Sequence, residues 1–70
     1  MKGTYYLLDA TRREYIGPFH KRRHAREERQ KRGNAVQWSN MDIIDTDNEE
    51  QMKLLMYAIT DGYTEGRRFT

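Results

Sequence analysis

Two histidines are the first residues whose spacing could support chemistry. His20 and His24 stand four positions apart, which places two imidazoles on one face of a helix, as in helical metal sites. Their neighbours in the chain are cationic, and no third residue of a suitable type is near. Because positive charges repel a metal ion, we expect no metal at this pair.

A run of alternating acids is the second candidate. Asp45, Asp47 and Glu49 could suggest a calcium loop. An EF-hand needs Gly at about its sixth position and Glu at about its twelfth, where Glu50 and Met56 stand. We therefore predict that these acids cap a helix. No nucleophile motif or Gly-rich phosphate loop is present, so we expect no catalytic residue, no metal or other cofactor and no small-molecule substrate.

The strongest signal is a basic segment, residues 20–32. It holds seven Lys/Arg and two Glu, a net charge of +5, whereas the other 57 residues hold six Lys/Arg and nine Asp/Glu, a net charge of −3. Such a segment predicts an acidic partner, either nucleic acid or an acidic surface of a host protein. Pairing with the chain's own acids, or simple solvation, is the alternative. The predicted partner-binding residues are Lys21, Arg22, Arg23, Arg26, Arg29, Lys31 and Arg32.

The elements that must position this segment begin with a hairpin. Residues 4–8 and 13–16 have the apolar, aromatic and β-branched character of strands. Asp9 favours a turn over residues 9–12. Pro18 cannot donate to a sheet ladder, so the second strand is predicted to end at Gly17-Pro18.

Two helices are predicted. Residues 20–32 are rich in helix formers, and Gly33 is a C-cap. Residues 47–61 form the second helix, with Thr46 or Asp47 as its cap. Its core-facing stripe is Met52, Leu55, Met56 and Ile59.

Between the helices, residues 34–45 read as strand, with a possible break at Ser39-Asn40. The order ββαβ(β)α predicts an α+β fold, a two-layer sandwich of a small antiparallel sheet and two helices. The expected core is Leu7, Ile16, Trp38, Ile43, Leu55, Met56 and Ile59. Residues 1–62 form the single domain, and residues 63–70 a C-terminal tail that we expect to be frayed apart from Tyr63 and Phe69, which could tuck back against the domain.

Composition narrows the class of protein. With 70 residues, 34% of them charged, and a mean hydropathy of −1.15, the chain has one small core and little room for an enzyme pocket. It has no cysteine and no apolar run of membrane length, and we expect no secretory signal. We therefore expect a cytoplasmic protein without a membrane partner.

Residues 5–25 resemble a pattern of small phage-encoded proteins. The pattern is a hairpin, then Gly-Pro-Phe (here Gly17-Pro18-Phe19), then a helix with Ala six residues after the Phe (here Ala25). Lys21 stands where the pattern has a Ser or Thr helix cap. The resemblance covers a third of the chain and implies a ββα start, an accessory role and the cytoplasm of a host cell.

Gly3-Thr4-Tyr5 and Tyr15-Ile16-Gly17 resemble the two motifs of the GIY-YIG nuclease domain. That family has the order ββαβα, and the resemblance implies that Tyr5 and Tyr15 serve the reaction. Arg26 lies one position beyond the usual place of the family's arginine. Leu55 stands where the family has its metal-binding glutamate, which implies a degenerate relative.

Three functions follow from these residues. The leading hypothesis is a small non-enzymatic binding or inhibitor protein that uses the basic helix. The alternatives are a degenerate nuclease domain and a structural or assembly protein; no oligomeric state is predicted.

Overall fold

The computed structural model describes residues 3–69. Its elements are β1 Tyr5–Asp9, β2 Glu14–Phe19, α1 Arg22–Arg32, α2 Ala35–Trp38, β3 Met41–Asp45, α3 Glu49–Thr60 and β4 Thr64–Glu65. Within the described residues, one mixed sheet has the strand order β3-β1-β2-β4. β1 runs antiparallel to β2 and β3, and β4 runs parallel to β2. The predicted α+β class is confirmed.

The two long helices lie on opposite faces of the sheet. Leu7 and Leu8 are adjacent in β1 and therefore point to opposite faces. Leu7 packs with Ala25 of α1, whereas Leu8 packs with Leu55 and Ala58 of α3. The sheet is thus covered on both sides, and the single helix layer predicted for the two-layer sandwich is replaced by one layer on each face.

The hairpin forms as predicted, with a longer second strand. Asp9 Oδ1 accepts a hydrogen bond from the Arg12 amide at 3.2 Å and so stabilises the turn. β2 continues through Pro18 to Phe19, because the β1–β2 register shifts between Tyr5 and Leu7, and a proline is tolerated at such an irregularity. The prediction that the strand ends at Gly17-Pro18 is therefore wrong.

The backbone conformation and close packing of this irregular stretch require glycine at position 17. Its φ of +153° is one that other residues rarely adopt, and a Cβ there would lie 2.6 Å from Cδ2 of the Tyr6 ring. Any larger residue would push the Tyr6 ring away from the sheet.

The prediction of strand over residues 34–45 is correct only from Met41 onward. Residues 35–38 form the short helix α2 instead. Asn34 accepts a hydrogen bond from the Gln37 amide, and the Gln37 side chain accepts one from the Asn34 amide. This reciprocal cap favours a helical turn over the alternating apolar pattern. Trp38 is half-buried against the core residues of the α1 face, which include Leu7 and Ala25, and its Nε1 donates to the Gly33 carbonyl at 2.9 Å.

α3 begins at Glu49, two residues later than predicted, and has a different cap. Asn48, and not Thr46 or Asp47, accepts hydrogen bonds from the amides of Glu50 and Gln51. Residues 54–59 of the helix are all apolar, so the sequence pattern there does not single out the inward face.

The buried face of α3 is formed by Leu55 and Ala58. Met56 is 61% exposed and Ile59 is 45% exposed, so both are outside the core that we predicted. The remaining buried apolar residues are Leu7, Leu8, Ile16, Phe19, Ala25, Met41 and Ile44.

The tail predicted to be frayed is attached to the domain over residues 63–69. Thr64 and Glu65 pair with Glu14 and Tyr15 of β2. The Gly66 amide also donates to the Tyr15 carbonyl at 2.9 Å. The predictions for residues 1, 2 and 70 lie outside the described residues.

Candidate functional site

The helix α1 has a narrow inward face and a broad cationic outward face. Ala25, Glu28 and Arg32 are buried against the sheet. Of the seven predicted partner-binding residues, Arg29 is half-buried and Arg32 is buried. The exposed ones are Lys21, Arg22, Arg23, Arg26 and Lys31.

Three arginines follow one flank of α1, at spacings of four and three residues. We call Arg22, Arg26 and Arg29 the arginine stripe. The Arg22 guanidinium carbon lies 5.2 Å from the centroid of the Tyr5 ring, and that of Arg29 lies 5.6 Å from the Trp38 ring. These cation–π contacts hold both ends of the stripe in place, while Arg26 projects between them into solvent.

The chain's own acids do not neutralise the stripe. The salt bridges of residues 3–69 use only Arg12, Arg13 and Arg32 as their cations. Their acidic partners are Asp9, Glu14, Glu28 and Asp61, none of which belongs to the acidic stretch at residues 42–50. Internal pairing therefore does not account for the basic surface.

Arg32 differs from the other six cations because its guanidinium is buried and pairs with three carboxylates of the protein. Its Nη1 lies 3.0 Å from Asp9 Oδ2 and 3.0 Å from Glu14 Oε1, and its Nε lies 3.1 Å from Glu28 Oε2. We call these four residues the Arg32 cluster. The side chains of Arg32, Asp9 and Glu28 have no solvent exposure, so Arg32 is not available to a partner as we predicted.

Opposing effects set the charge state of Arg32. Burial lowers the pKa of its guanidinium, but the hydrogen bonds to Glu14, Asp9 and Glu28 outweigh burial and leave the pKa raised. The guanidinium therefore stays charged, as a buried partner of three carboxylates must.

The Arg32 cluster also holds the tail. Nη2 of Arg32 donates to the Arg67 carbonyl at 2.5 Å, and Glu28 Oε2 accepts from the Phe69 amide at 2.7 Å. The guanidinium carbons of Arg12 and Arg32 lie 4.9 and 4.6 Å from the centroid of the Phe69 ring. Residue type alone did not reveal this cluster; the only sequence signal was the four-residue spacing of Glu28 and Arg32.

The residues carried over from the nuclease resemblance do not converge. Tyr5 packs with the core residues around Leu7 on the α1 face of the sheet, whereas Tyr15 packs with those around Leu8 on the α3 face. Arg26 is exposed, and Leu55 is buried in the core of the α3 face. The sheet thus separates the two tyrosines that would have to act on one phosphate.

The acids and histidines singled out in the sequence lie apart from each other, in the turn before α3 and on the cationic segment. Asp45 Oδ1 accepts from the Asp47 amide at 2.9 Å in the turn before α3. His20 is exposed and His24 half-buried on the cationic segment. Across residues 3–69, no group of three or more His, Cys, Asp or Glu residues has the arrangement of a metal site. No helix in that range has the length and apolar character needed to span a bilayer.

Comparisons with protein-family models, curated proteins and solved structures found no match to this chain. Its function is therefore inferred from its own residues.

Proposed function

We propose that this chain is a small, non-enzymatic binding protein whose α1 surface binds the phosphate backbone of a nucleic acid. The observation that carries the proposal is the set of exposed α1 cations that form no salt bridge within residues 3–69. Unpaired cations clustered on one helix attract a polyanion and release its counterions on binding. The resemblance to small phage accessory proteins supports a binding role of this kind.

The arginine stripe suits phosphate better than a scattered set of charges would. Arg22 and Arg29 are already ordered by the rings of Tyr5 and Trp38, so they lose less side-chain entropy when a ligand binds. A guanidinium group also offers a planar fork of donors that matches two phosphate oxygens. Arg26, exposed between them, completes a line of three donors along one helix flank.

The acidic residues at the start of α3 lie on the other side of the sheet from the arginine stripe. Glu49 and Glu50 lie in the first turn of α3, and α3 packs on the other face of the sheet from α1. A polyanion approaching α1 therefore meets the cationic surface without having to pass these acids.

Salt dependence of binding tests the proposal. Fluorescence anisotropy with labelled single-stranded and duplex oligonucleotides is expected to show binding at about 50 mM salt that weakens steeply toward 200 mM. If the arginine stripe contacts three phosphates, the slope of log K against log[salt] is about −3 or steeper.

A matched pair of variants locates the contact. Replacing Arg22 and Arg26 with Gln is expected to make the slope shallower by about 2. Replacing two exposed cations on the α3 side of the sheet, Arg13 and Lys53, with Gln removes the same charge and is expected to change the slope by less than half as much. Equal effects from the two double variants would mean that net charge alone binds the nucleic acid, and the proposal would be wrong.

The rival functions give different results in the same experiments. Absence of oligonucleotide binding at low salt, together with a partner that is captured from nuclease-treated host lysate and lost in the Arg22/Arg26 variant, would assign α1 to an acidic protein surface. A defined oligomer at micromolar concentration that forms without nucleic acid would favour an assembly protein.

A further inference from the structure

The side of α1 that points away from the sheet is made of long polar side chains. With about 100° of rotation per residue, the three buried residues of α1 lie within an arc of about 60°. Arg23 and Gln30 lie within about 20° of the opposite direction, and Glu27 lies about 50° from it. All three are exposed, and we call them the α1 ridge.

Cations lie along both flanks of the α1 ridge. Arg22 of the arginine stripe and Lys31 are exposed and lie about 90° to either side of the outward direction. A helix that enters a groove between two phosphate strands needs this arrangement. Its flanks meet the phosphates, which position it, and its ridge meets the base edges, which carry the sequence.

Glu27 does not suit a surface that binds phosphates alone. It is exposed on the cationic segment, four residues from both Arg23 and Lys31, and forms a salt bridge with neither among residues 3–69. Its carboxylate therefore repels a phosphate at close range. At a base edge in the major groove of DNA, the same carboxylate accepts a hydrogen bond from the N4 amino group of cytosine.

The aromatic rings beside α1 are already covered. Tyr5 and Trp38 pack against the core of the α1 face on one side, and the guanidinium groups of Arg22 and Arg29 lie over them. The Phe69 ring also contacts guanidinium groups. Because single-stranded nucleic acids are bound through open aromatic faces on which bases stack, these rings favour a duplex ligand over a single strand.

The dimensions of α1 match the major groove of B-form DNA. A helix with its side chains is about 10–12 Å across, and this groove is about 12 Å wide. The 11 residues of α1 extend over about 16 Å, which is close to five base-pair steps of about 3.4 Å. Duplex RNA does not offer the same site, because side chains cannot read its narrow major groove.

We propose, resting on the nucleic-acid function proposed above, that α1 lies in the major groove of duplex DNA and that the α1 ridge reads the bases. Arginine donates two hydrogen bonds to guanine, glutamine pairs with adenine and glutamate accepts from cytosine. Arg23, Gln30 and Glu27 therefore select these three bases. The arginine stripe and Lys31 bind the flanking phosphates and set the register of the helix.

A selection from a duplex DNA library with randomised base pairs tests whether sequence is read. With the full chain as bait, we expect enrichment of one site of about five base pairs that contains guanine, adenine and cytosine at fixed positions. Salt-dependent retention of the library without an enriched sequence would overturn this proposal and leave the proposed function intact. Absence of all duplex binding at low salt would overturn both.

Substitution of Glu27 measures base reading directly. Replacing one enriched C·G pair at a time is expected to weaken binding of the wild-type chain about tenfold. Glu27→Gln is expected to remove the preference at one of these pairs and to leave the salt slope unchanged, because no phosphate contact is lost. Glu49→Gln removes the same charge from an exposed position on the other side of the sheet and is expected to keep every preference.

Arg22→Gln, which changes a phosphate contact, should give the opposite result. It is expected to weaken binding to all duplexes by the same factor and to make the salt slope shallower by about 1. If Glu27→Gln instead tightens binding to all duplexes equally, Glu27 is only a repulsive charge on a phosphate-binding surface, and the proposal is wrong.

Two altered ligands test the groove and the strandedness. A duplex with 7-deazaguanine at the enriched guanine lacks the N7 acceptor that guanine presents in the major groove, and it is expected to bind about tenfold more weakly. Single strands of the enriched sequence are expected to bind more weakly than the duplex, because they have no groove. Full affinity for the 7-deazaguanine duplex, or tighter binding of the single strands, would overturn the assignment to the major groove.

Discussion

Replacing Arg32 with Ala is expected to destabilise the protein more than any other single change in α1. The guanidinium is buried among three carboxylates, two of which have no solvent exposure. Removing it takes the buried cation away from the buried carboxylates of Asp9 and Glu28, and breaking a buried pair in this way costs about 3–5 kcal/mol. A domain of 70 residues has a free energy of unfolding of only about 4–10 kcal/mol, so the variant should be close to unfolded.

Arg26→Ala is the matched control, because it removes the same side chain from an exposed position of the same helix. We expect it to change the free energy of unfolding by less than about 0.5 kcal/mol. Urea denaturation followed by circular dichroism and by the fluorescence of Trp38 measures both variants. Similar losses from the two substitutions would refute the burial argument.

Two milder variants keep the test informative if Arg32→Ala does not fold. Glu28→Gln is expected to cost only about 1 kcal/mol, because Arg32 still pairs with Asp9 and Glu14. Arg32→Lys is expected to recover only part of the stability, since an ammonium group cannot reproduce the fork of hydrogen bonds. Full stability in Arg32→Lys would mean that charge alone matters at this site.

The raised pKa of Arg32 determines the pH range in which this residue contributes to stability. A group whose pKa is raised by folding contributes stability that is fully present below its unfolded pKa and is lost only as the pH rises through the folded value. For arginine that range is strongly alkaline. The difference in stability between wild type and Arg32→Lys should therefore show no contribution from titration of Arg32 between about pH 6 and 9.

Three further predictions concern the core, the capping of α3 and nuclease activity. Leu55→Ala is expected to lower the free energy of unfolding by about 2–5 kcal/mol, while Met56→Ala, which is exposed, changes it by less than about 0.5 kcal/mol; equal losses in urea denaturation would contradict the core assignment. Asn48→Ala is expected to cost about 1 kcal/mol by removing the helix cap, and Asn48→Asp should retain most of the stability in the same assay. Incubation with plasmid and Mg²⁺ or Mn²⁺ is expected to leave the DNA intact, because Tyr5 and Tyr15 lie on opposite sheet faces; nicking that Tyr5→Phe abolishes would restore the nuclease hypothesis.

The local elements could be predicted because their signals are local. The strand residues of the hairpin, the helix formers of α1 and the apolar run of α3 each carry a propensity that needs no distant partner. The error at residues 35–38 has the same origin, since the alternating pattern was given more weight than the reciprocal cap of Asn34 and Gln37.

Which side of α3 is buried could not be predicted in the same way, whereas Ala25, the one small apolar residue of α1, is buried as expected. Residues 54–59 of α3 are all apolar, so this half of the helix lacks the two-sided pattern that identifies an inward face. Met56 and Ile59 are therefore exposed although their spacing matched a core stripe, and Ala58 is buried in their place. The packing of α3 on Leu8 and Ile44 selected the face.

The sequence by itself determined the composition of the binding surface, because seven Lys/Arg in thirteen residues make a cationic helix whatever it packs on. Only the tertiary structure decided that six of them face outward or flank the sheet while Arg32 turns inward. That division depends on Asp9 and Glu14, which are distant in the chain but lie beside the end of α1 once the hairpin has formed. A charge is buried where the fold brings opposite charges to it. The residues of α1 by themselves do not show that Asp9 and Glu14 will lie next to Arg32.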